Sequence, residues 1–545
     1  MVAEALVGNQ PEDRVPTRNL DYDSEGGGLQ QYKRRIIVWA LIESNLRASV
    51  ILSRRNLILL VPIILLIPVI EFFLVKYSLN PDIYGSYAIS SALLANIANL
   101  SKVNTDTLGP MVAGIVAIAR LFFDPGKDIH SMEVFVSVLA FLFVVLAWIA
   151  SLFVLRSQSR DWRALAAFSV LFLLVIDWAD YNYRSLDGEL VSAPFLIVLL
   201  VCAPLANWTS RRGLANLCVS ALLLAAVFFT KLQAYPIACF AFVFADALRD
   251  SITMRGSLWR LAVVGALSAI FAVLPSLYGQ DLVGNTLAHL RGTESVVPND
   301  HLLSLVRKFR DDVLRSLFGL WVALALAIIA ACFLKPPAGQ KIRFGLTQAE
   351  WFTLGYFMTA VACIAASRRF FLHYSLLLLP AFPLIFNALT ARVGSLKSKQ
   401  WDSIAVIGLS VLVAFYQWKL TMKWRPEVPS VQHNAELVRA ACPDTSLPVV
   451  VHGWDFRYYI ALGSYPSIAG MDIIKQAGYP PNLMDAYVAR LRNGSSLIID
   501  VVNPNSDWID HDFPKLDALL GSSASKYRRI AVAPQVTVYC PKAGI

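Results

Sequence analysis

The sequence predicts a polytopic α-helical membrane protein carrying an α/β domain outside the membrane at its C-terminal end. Three observations predict it. Hydrophobic residues fill 57% of the 545 positions and charged residues 16%, and the mean hydropathy is +0.56. Soluble domains run roughly 45–50% apolar and about 25% charged, so an ordinary soluble enzyme is excluded, as are a disordered chain and a disulfide-knotted secreted scaffold. Apolar segments recur eleven times between residues 57 and 418, and beyond Trp418 the pattern changes to short apolar runs between amphipathic stretches. The net charge of +10 is no nucleic-acid signal, because cytoplasmic loops of membrane proteins collect Lys and Arg.

In chain order, residues 1–35 are polar and acid-rich, contain Gly26-Gly27-Gly28, and read as a disordered cytoplasmic tail. Residues 36–56 mix apolar positions with Glu43, Arg47, Arg54 and Arg55, which suits a helix lying in the inner interface. A spanning helix needs about 20 predominantly apolar residues. In the transmembrane domain, 57–420, the expected spans are Leu57–Val75, Val134–Leu155, Ala164–Ile176, Val191–Leu205, Leu214–Phe229, Tyr235–Leu248, Leu261–Leu277, Leu317–Leu334, Trp351–Ala366, Phe370–Leu389 and Ile404–Trp418. Residues 111–123 are too few to cross and read as a second interfacial helix, on the outer side.

Every second loop is basic: Arg156, Arg160 and Arg163; Arg211 and Arg212; Arg249, Arg255 and Arg260; Lys335, Lys341 and Arg343; Arg392, Lys397 and Lys399. The positive-inside rule then puts the N-terminus in the cytoplasm and the C-terminal domain, 421–545, outside an inner (plasma) membrane. The long loop 278–316 dissents, with Arg291, Arg307, Lys308, Arg310 and Arg315 on the outer side. Runs such as LPVVVHGW, SLIIDVV and RRIAVAPQVTVYC, set between helical patterns, give the α/β reading of the last domain. Five of the seven cysteines fall in expected spans; Cys442 and Cys540 fall in the outer domain, where an oxidising compartment would allow a disulfide.

Ionisable residues near membrane depth are costly and tend to be functional. Four clusters fall on the outer side: Asp82, Tyr84 and Tyr87 followed by Lys102 and Asp106; Asp177, Asp180, Arg184, Asp187 and Glu189; Lys231 and Gln233; and Arg368, Arg369, His373 and Tyr374. Together they describe a carboxylate-rich cavity ringed by cations. Each has a plainer reading. Asp82 suits a solvated loop charge, Asp187 and Glu189 a helix N-terminal cap, Lys231 a snorkelling side chain, and the Arg pair a lipid-phosphate contact. His289 and His301 read as loop histidines.

The segments PDIYGSY and DTLGPMVAGIVAIARLFF, RSLDGELVSAPFLIVLL, and RRFFLHYSLLLLPAFPL resemble the GT-C superfamily of integral-membrane glycosyltransferases, on the protein O-mannosyltransferase and aminoarabinose-transferase branch. The likeness covers most of residues 55–545. It implies a GT-C-like fold of roughly eleven transmembrane helices. It also implies transfer of a sugar from a polyprenyl-phosphate donor to a hydroxyl of a lipid, glycan or protein acceptor, with inversion. Asp82 would be the catalytic base. Lys231 and Arg369, helped by Arg368 and His373, would meet the charge growing on the leaving phosphate. Asp187 or Glu189 would hold sugar hydroxyls or orient the acceptor, and Tyr84, Tyr87, Asp106, Gln233 and Tyr374 would complete the substrate site. Asp82 is followed by Ile83 where the family often has a second acid, and Gly85-Ser86 stand where the aminoarabinose branch has Arg-Tyr, so the sugar stays open. No metal ligand is assigned; a divalent cation stays open, since no HxxxH or clustered carboxylate run demands one. Partners are the lipid-linked donor, the acceptor and membrane lipids, with no nucleic acid.

A transporter or flippase of lipid-linked sugars is the rival from another class. Transporters place polar sites near the bilayer midplane and carry internal repeats, whereas here polar residues gather at the outer ends of spans. A polymerase or ligase of lipid-linked saccharides would share such a cavity. In the outer domain, the aromatic-rich HGWDFRYYIALGSYP reads as the packed edge of the α/β core, with a contact to sugar or acceptor as the alternative.

Overall fold

The computed structural model describes residues 81–95, 110–156, 186–203, 210–231, 234–247, 254–274, 348–366, 372–386, 431–452, 455–464, 481–501 and 515–542, with isolated positions between them. The expected spans Leu57–Val75, Leu317–Leu334 and Ile404–Trp418 lie outside the described residues, as does the N-terminal interfacial helix.

The first element differs from expectation. The stretch PDIYGSY, read as a loop, is the start of helix α1, Pro81–Ala95. Proline suits a first helical position because its missing N–H would have no intrahelical partner there, and an acid in the first turn opposes the helix dipole favourably. Helix α2, Pro110–Phe122, turns Val112, Ala113, Val116 and Ala117 inward and exposes Ile118, Leu121 and Phe122. That two-sidedness fits the interfacial reading of residues 111–123.

Six further helices cover expected spans in whole or part: α3, Ile129–Arg156; α4, Gly188–Cys202; α5, Arg211–Thr230; α6, Ala234–Ala247; α7, Met254–Val273; and α8, Gln348–Ala366. Among the described residues, α3 and α5 are long and apolar enough to cross a membrane by themselves. Helix α4 packs between α3 and α5, α7 lies on α5, and α8 on α6. The expected span Phe370–Leu389 is not one helix. Residues Leu372–Leu378 form a 3₁₀ turn, and a separate short helix follows at 381–386. Pro380 has no N–H to offer the Leu376 carbonyl, which accepts from the Leu379 N–H instead at 3.1 Å. Phe382 of the short helix stacks on Phe168 and Phe386 meets it edge-on, each with ring centroids 5.3 Å apart, and Phe168 belongs to the expected third span.

After the bundle, α9 (Val431–Ala441) leads to β1 (Val449–His452), α10 (Arg457–Leu462), α11 (Pro481–Arg492), β2 (Leu497–Val501), α12 (Leu516–Leu520), β3 (Tyr527–Ala533) and β4 (Val536–Pro541). The strand order is β1-β2-β4-β3. β1 runs parallel to β2, with Val449 opposite Leu497; β4 is antiparallel to both β2 and β3, with Ile499 opposite Val538. Alternation assigns the two faces, as a pleated strand requires. Val450 and Ile498 face Tyr487, Leu491, Leu516 and Leu520, while Val449, Val451, Leu497 and Ile499 join the same apolar core as the helical bundle. Cys442, just past α9, is joined to Cys540 of β4 by a disulfide, so the pairing left open by sequence is present.

Candidate functional site

Three of the four sequence clusters are brought together at the ends of α4 and α5. The chain enters α4 through Leu186 at φ 54°, a left-handed conformation that non-glycine residues seldom adopt. The turn places Asp187 at the N-cap position and Glu189 in the first helical turn, both fully buried. Asp187 is the N-cap by position without a side-chain cap hydrogen bond, and both acids stand where the helix dipole favours negative charge, as the plainer capping reading expects.

Lys231 is the C-cap of α5; its N–H bonds the Val227 carbonyl at 2.9 Å and its own carbonyl accepts from Ala234. Its ammonium lies 2.9 Å from Glu189 Oε1, with the lysine side chain 10% exposed and the glutamate 0%. The same ammonium sits 5.1 Å from the centroid of the Tyr374 ring. Burial opposes its charge, but Glu189, Tyr374 and Asp187 outweigh that and hold its pKa above the ordinary lysine value. A lysine turned inward this way is not snorkelling to headgroups.

A second group surrounds the first turns of α1. The Tyr84 hydroxyl donates to Glu133 Oε1 of α3 at 2.5 Å, and the Arg457 guanidinium lies 5.7 Å from the Tyr84 ring centroid. Arg457 is held by both oxygens of Asp455, at 2.7 Å each. Further along α1, the Tyr87 hydroxyl donates to Asp124 and to the Gly126 carbonyl. Arg120 bonds Asp124, Ser90 and Ser91, clamping α2 to α1. Partial burial works against the Asp124 carboxylate, yet hydrogen bonds from Arg120, the Gly126 backbone and Tyr87 hold its pKa below the usual value.

Tyr84 and Tyr87, expected at the substrate, therefore have partners within the protein. Glu133, Asp124, Arg120 and Arg457 were not foreseen. Glu133 carried a signal, being an acid just inside an apolar run; Arg457 carried none, since its place depends on how the last domain docks. The side chains of Asp82 and His373, and residues Asp106, Gln233, Arg368 and Arg369, lie outside the described positions. Among the described residues, no group of three or more His, Cys, Asp or Glu is placed to hold a metal ion.

The chain aligns with ArnT from Cupriavidus metallidurans bound to undecaprenyl phosphate at a TM-score of 0.55 and 11% identity, over 90% of this chain and 99% of that one. At this identity the likeness shows a shared fold, that of ArnT. The apo form of the same ArnT gives a TM-score of 0.52 at 11% identity, over 88% of this chain and 97% of that one. The mycobacterial arabinofuranosyltransferase AftD gives 0.51 at 14% identity, over 90% of this chain and 40% of AftD. No sequence-family model and no curated protein sequence matches the chain. The helical bundle of that fold agrees with the apolar composition and with the two described helices long enough to cross a membrane.

Proposed function

We propose that the protein is a membrane glycosyltransferase that moves a sugar from a polyprenyl-phosphate donor to a hydroxyl of a cell-envelope acceptor at the outer face. The observation that carries this reading is the buried Glu189–Lys231 pair, set beside Asp187 and Tyr374 at the ends of two helices in a GT-C fold. A cation kept charged in a dry site is suited to a phosphate whose charge grows as its bond to the sugar breaks. Undecaprenyl phosphate, found bound in the ArnT structure, has that chemistry.

In this mechanism the acceptor oxygen attacks the anomeric carbon from the face opposite the phosphate. Asp82 takes the hydroxyl proton as the new C–O bond forms. The electrons of the breaking bond leave with the lipid phosphate, and the anomeric centre inverts. Lys231 meets the phosphate charge, with Arg368, Arg369 and His373 adding to the cationic rim. Glu189 holds Lys231 in place, and Asp187 is available to sugar hydroxyls. Tyr84, Tyr87, Asp106, Gln233 and Tyr374 are assigned to substrate binding. Eleven spans, a cytoplasmic N-terminus and an extracytoplasmic C-terminal domain complete the arrangement. The Cys442–Cys540 disulfide supports that side, because such bonds persist in oxidising compartments.

The test is a mass-spectrometric comparison of envelope lipids and glycans from a deletion strain complemented with wild type or with Asp82→Asn. A sugar lost on deletion and restored by wild type but not by the variant supports the transferase and its base. Full restoration by the variant removes Asp82 from that role and moves a lipid-linked-sugar transporter forward.

A further inference from the structure

The six-residue helix α10 is too short to be stable by itself, and it is held from two sides. On the side of its own domain, Asn434 of α9 donates to the Tyr458 hydroxyl at 3.2 Å, and the Tyr459 hydroxyl accepts from the Val451 N–H of β1 at 3.0 Å. Arg439 of α9 also donates to the Ala461 carbonyl. The helix ends at Gly463, whose φ of 68° closes its last turn.

On the other side it presses into the bundle. The Phe456 ring lies against Gly85 of α1, where a β-carbon would stand 3.6 Å from it. Arg457, fixed by Asp455, covers the Tyr84 ring, and Tyr84 is tied in turn to Glu133 of α3. Lys127, ahead of α3, packs its stem across Gly463, where any β-carbon would overlap it. Three contacts along one short segment thus reach α1 twice and the connection before α3 once, and Tyr84 links the first pair on to α3.

The geometry points to the segment Asp455–Gly463 as a positioning wedge, by which the C-terminal domain sets where the first turn of α1, and with it Asp82, stands in the transferase site. This rests on the transferase reading above for the role of Asp82. The physical argument concerns fraying. The first backbone N–H groups of a helix lack intrahelical partners, so α1 is weakest where Asp82 sits, two residues before Tyr84 and three before Gly85. A base must stand within hydrogen-bond reach of the proton it takes, and a misplacement of about 1 Å costs on the order of 100-fold in rate. Arg457 and Phe456 touch α1 rather than the reactants, so they position and do not catalyse.

The test uses the full-length protein in lipid nanodiscs, as wild type, Phe456→Ala, Arg457→Ala and Arg457→Lys, with Arg528→Ala as a control inside the C-terminal domain. Hydrogen exchange of peptides covering residues 81–90 is read beside kcat, donor KM and thermal stability. For Arg457→Ala and Phe456→Ala the expectation is exchange about tenfold faster in that peptide. A fall in kcat of roughly tenfold or more should accompany it, with donor KM moved by less than about threefold. Arg457→Lys, which keeps a cation over the Tyr84 ring, should recover most of both, and Arg528→Ala should match wild type. Unchanged exchange at residues 81–90, or faster exchange with unchanged kcat, overturns the proposal. A fall in activity that merely follows the loss of folded protein also overturns it. If wild type transfers no polyprenyl-phosphate sugar, the transferase reading fails, and exchange alone decides whether the wedge holds α1.

Discussion

Glu189 and Lys231 lie on two different helices, and each is tolerable in the interior because of the other. Removing one partner of a buried pair strands the remaining charge and costs roughly 3–5 kcal/mol, whereas replacing both with neutral groups of similar shape is often close to neutral. Glu189→Gln and Lys231→Met should therefore each lower the unfolding temperature in detergent. The double variant should regain most of that loss while remaining inactive in transfer, because the cation is gone. Recovery of transfer by the double variant would show that the pair serves folding alone. These two residues were legible in sequence because a charge among apolar neighbours stands out. That Tyr374 would lie over the same ammonium was legible only as a coincidence of side, outer rather than inner. Arg457 and Glu133 were not legible as partners, since nothing in the spacing of residues 324 apart says that they share Tyr84 as a neighbour.

At the scale of elements, hydropathy located helices and missed their breaks. PDIYGSY looked like a loop because it begins with Pro-Asp after an apolar run, yet the same dipeptide opens α1. The residues around Pro380 looked like one span because the flanking Leu and Phe residues keep the run apolar, although a proline cannot donate to the helix ladder. The strands of the C-terminal sheet were legible from their Val-rich runs. Their order was not, because a strand's neighbours depend on connections that composition does not record. The disulfide closes a stretch of 98 residues from the end of α9 to β4. Chain-entropy arguments give a crosslink of that span about 4–5 kcal/mol. Cys442→Ser/Cys540→Ser should leave the bundle folded while making the region 431–542 sensitive to limited proteolysis. Unchanged protease resistance would show that the sheet is stable without the bond.

Among the described residues, one main apolar core runs through the bundle and onto one face of the sheet. That continuity makes the C-terminal domain part of the same folded body as helices α1 to α8 rather than an appendage on a linker. It also makes the proposed orientation testable at two positions. In a background without the span cysteines, a cysteine at Asp485 should react with a membrane-impermeant maleimide in intact spheroplasts. One at Arg212 should react after lysis alone. Both positions are exposed on the protein surface. Reversed labelling would invert the topology and, with it, the face proposed for transfer.

The strand order has a consequence in time as well as in space. β4 lies between β2 and β3 in the sheet although it follows both in sequence. During synthesis, β2 and β3 emerge first and are not native neighbours; their native pairing waits for the strand that separates them. The sheet is therefore completed by its final strand, which also brings Cys540 to Cys442. Until that strand is in place, one edge of β2 and both edges of β3 stay unpaired, a state prone to wrong pairing. A chain interrupted at the β3–β4 turn would carry every residue assigned to the sugar site and still lack the means to close its own sheet.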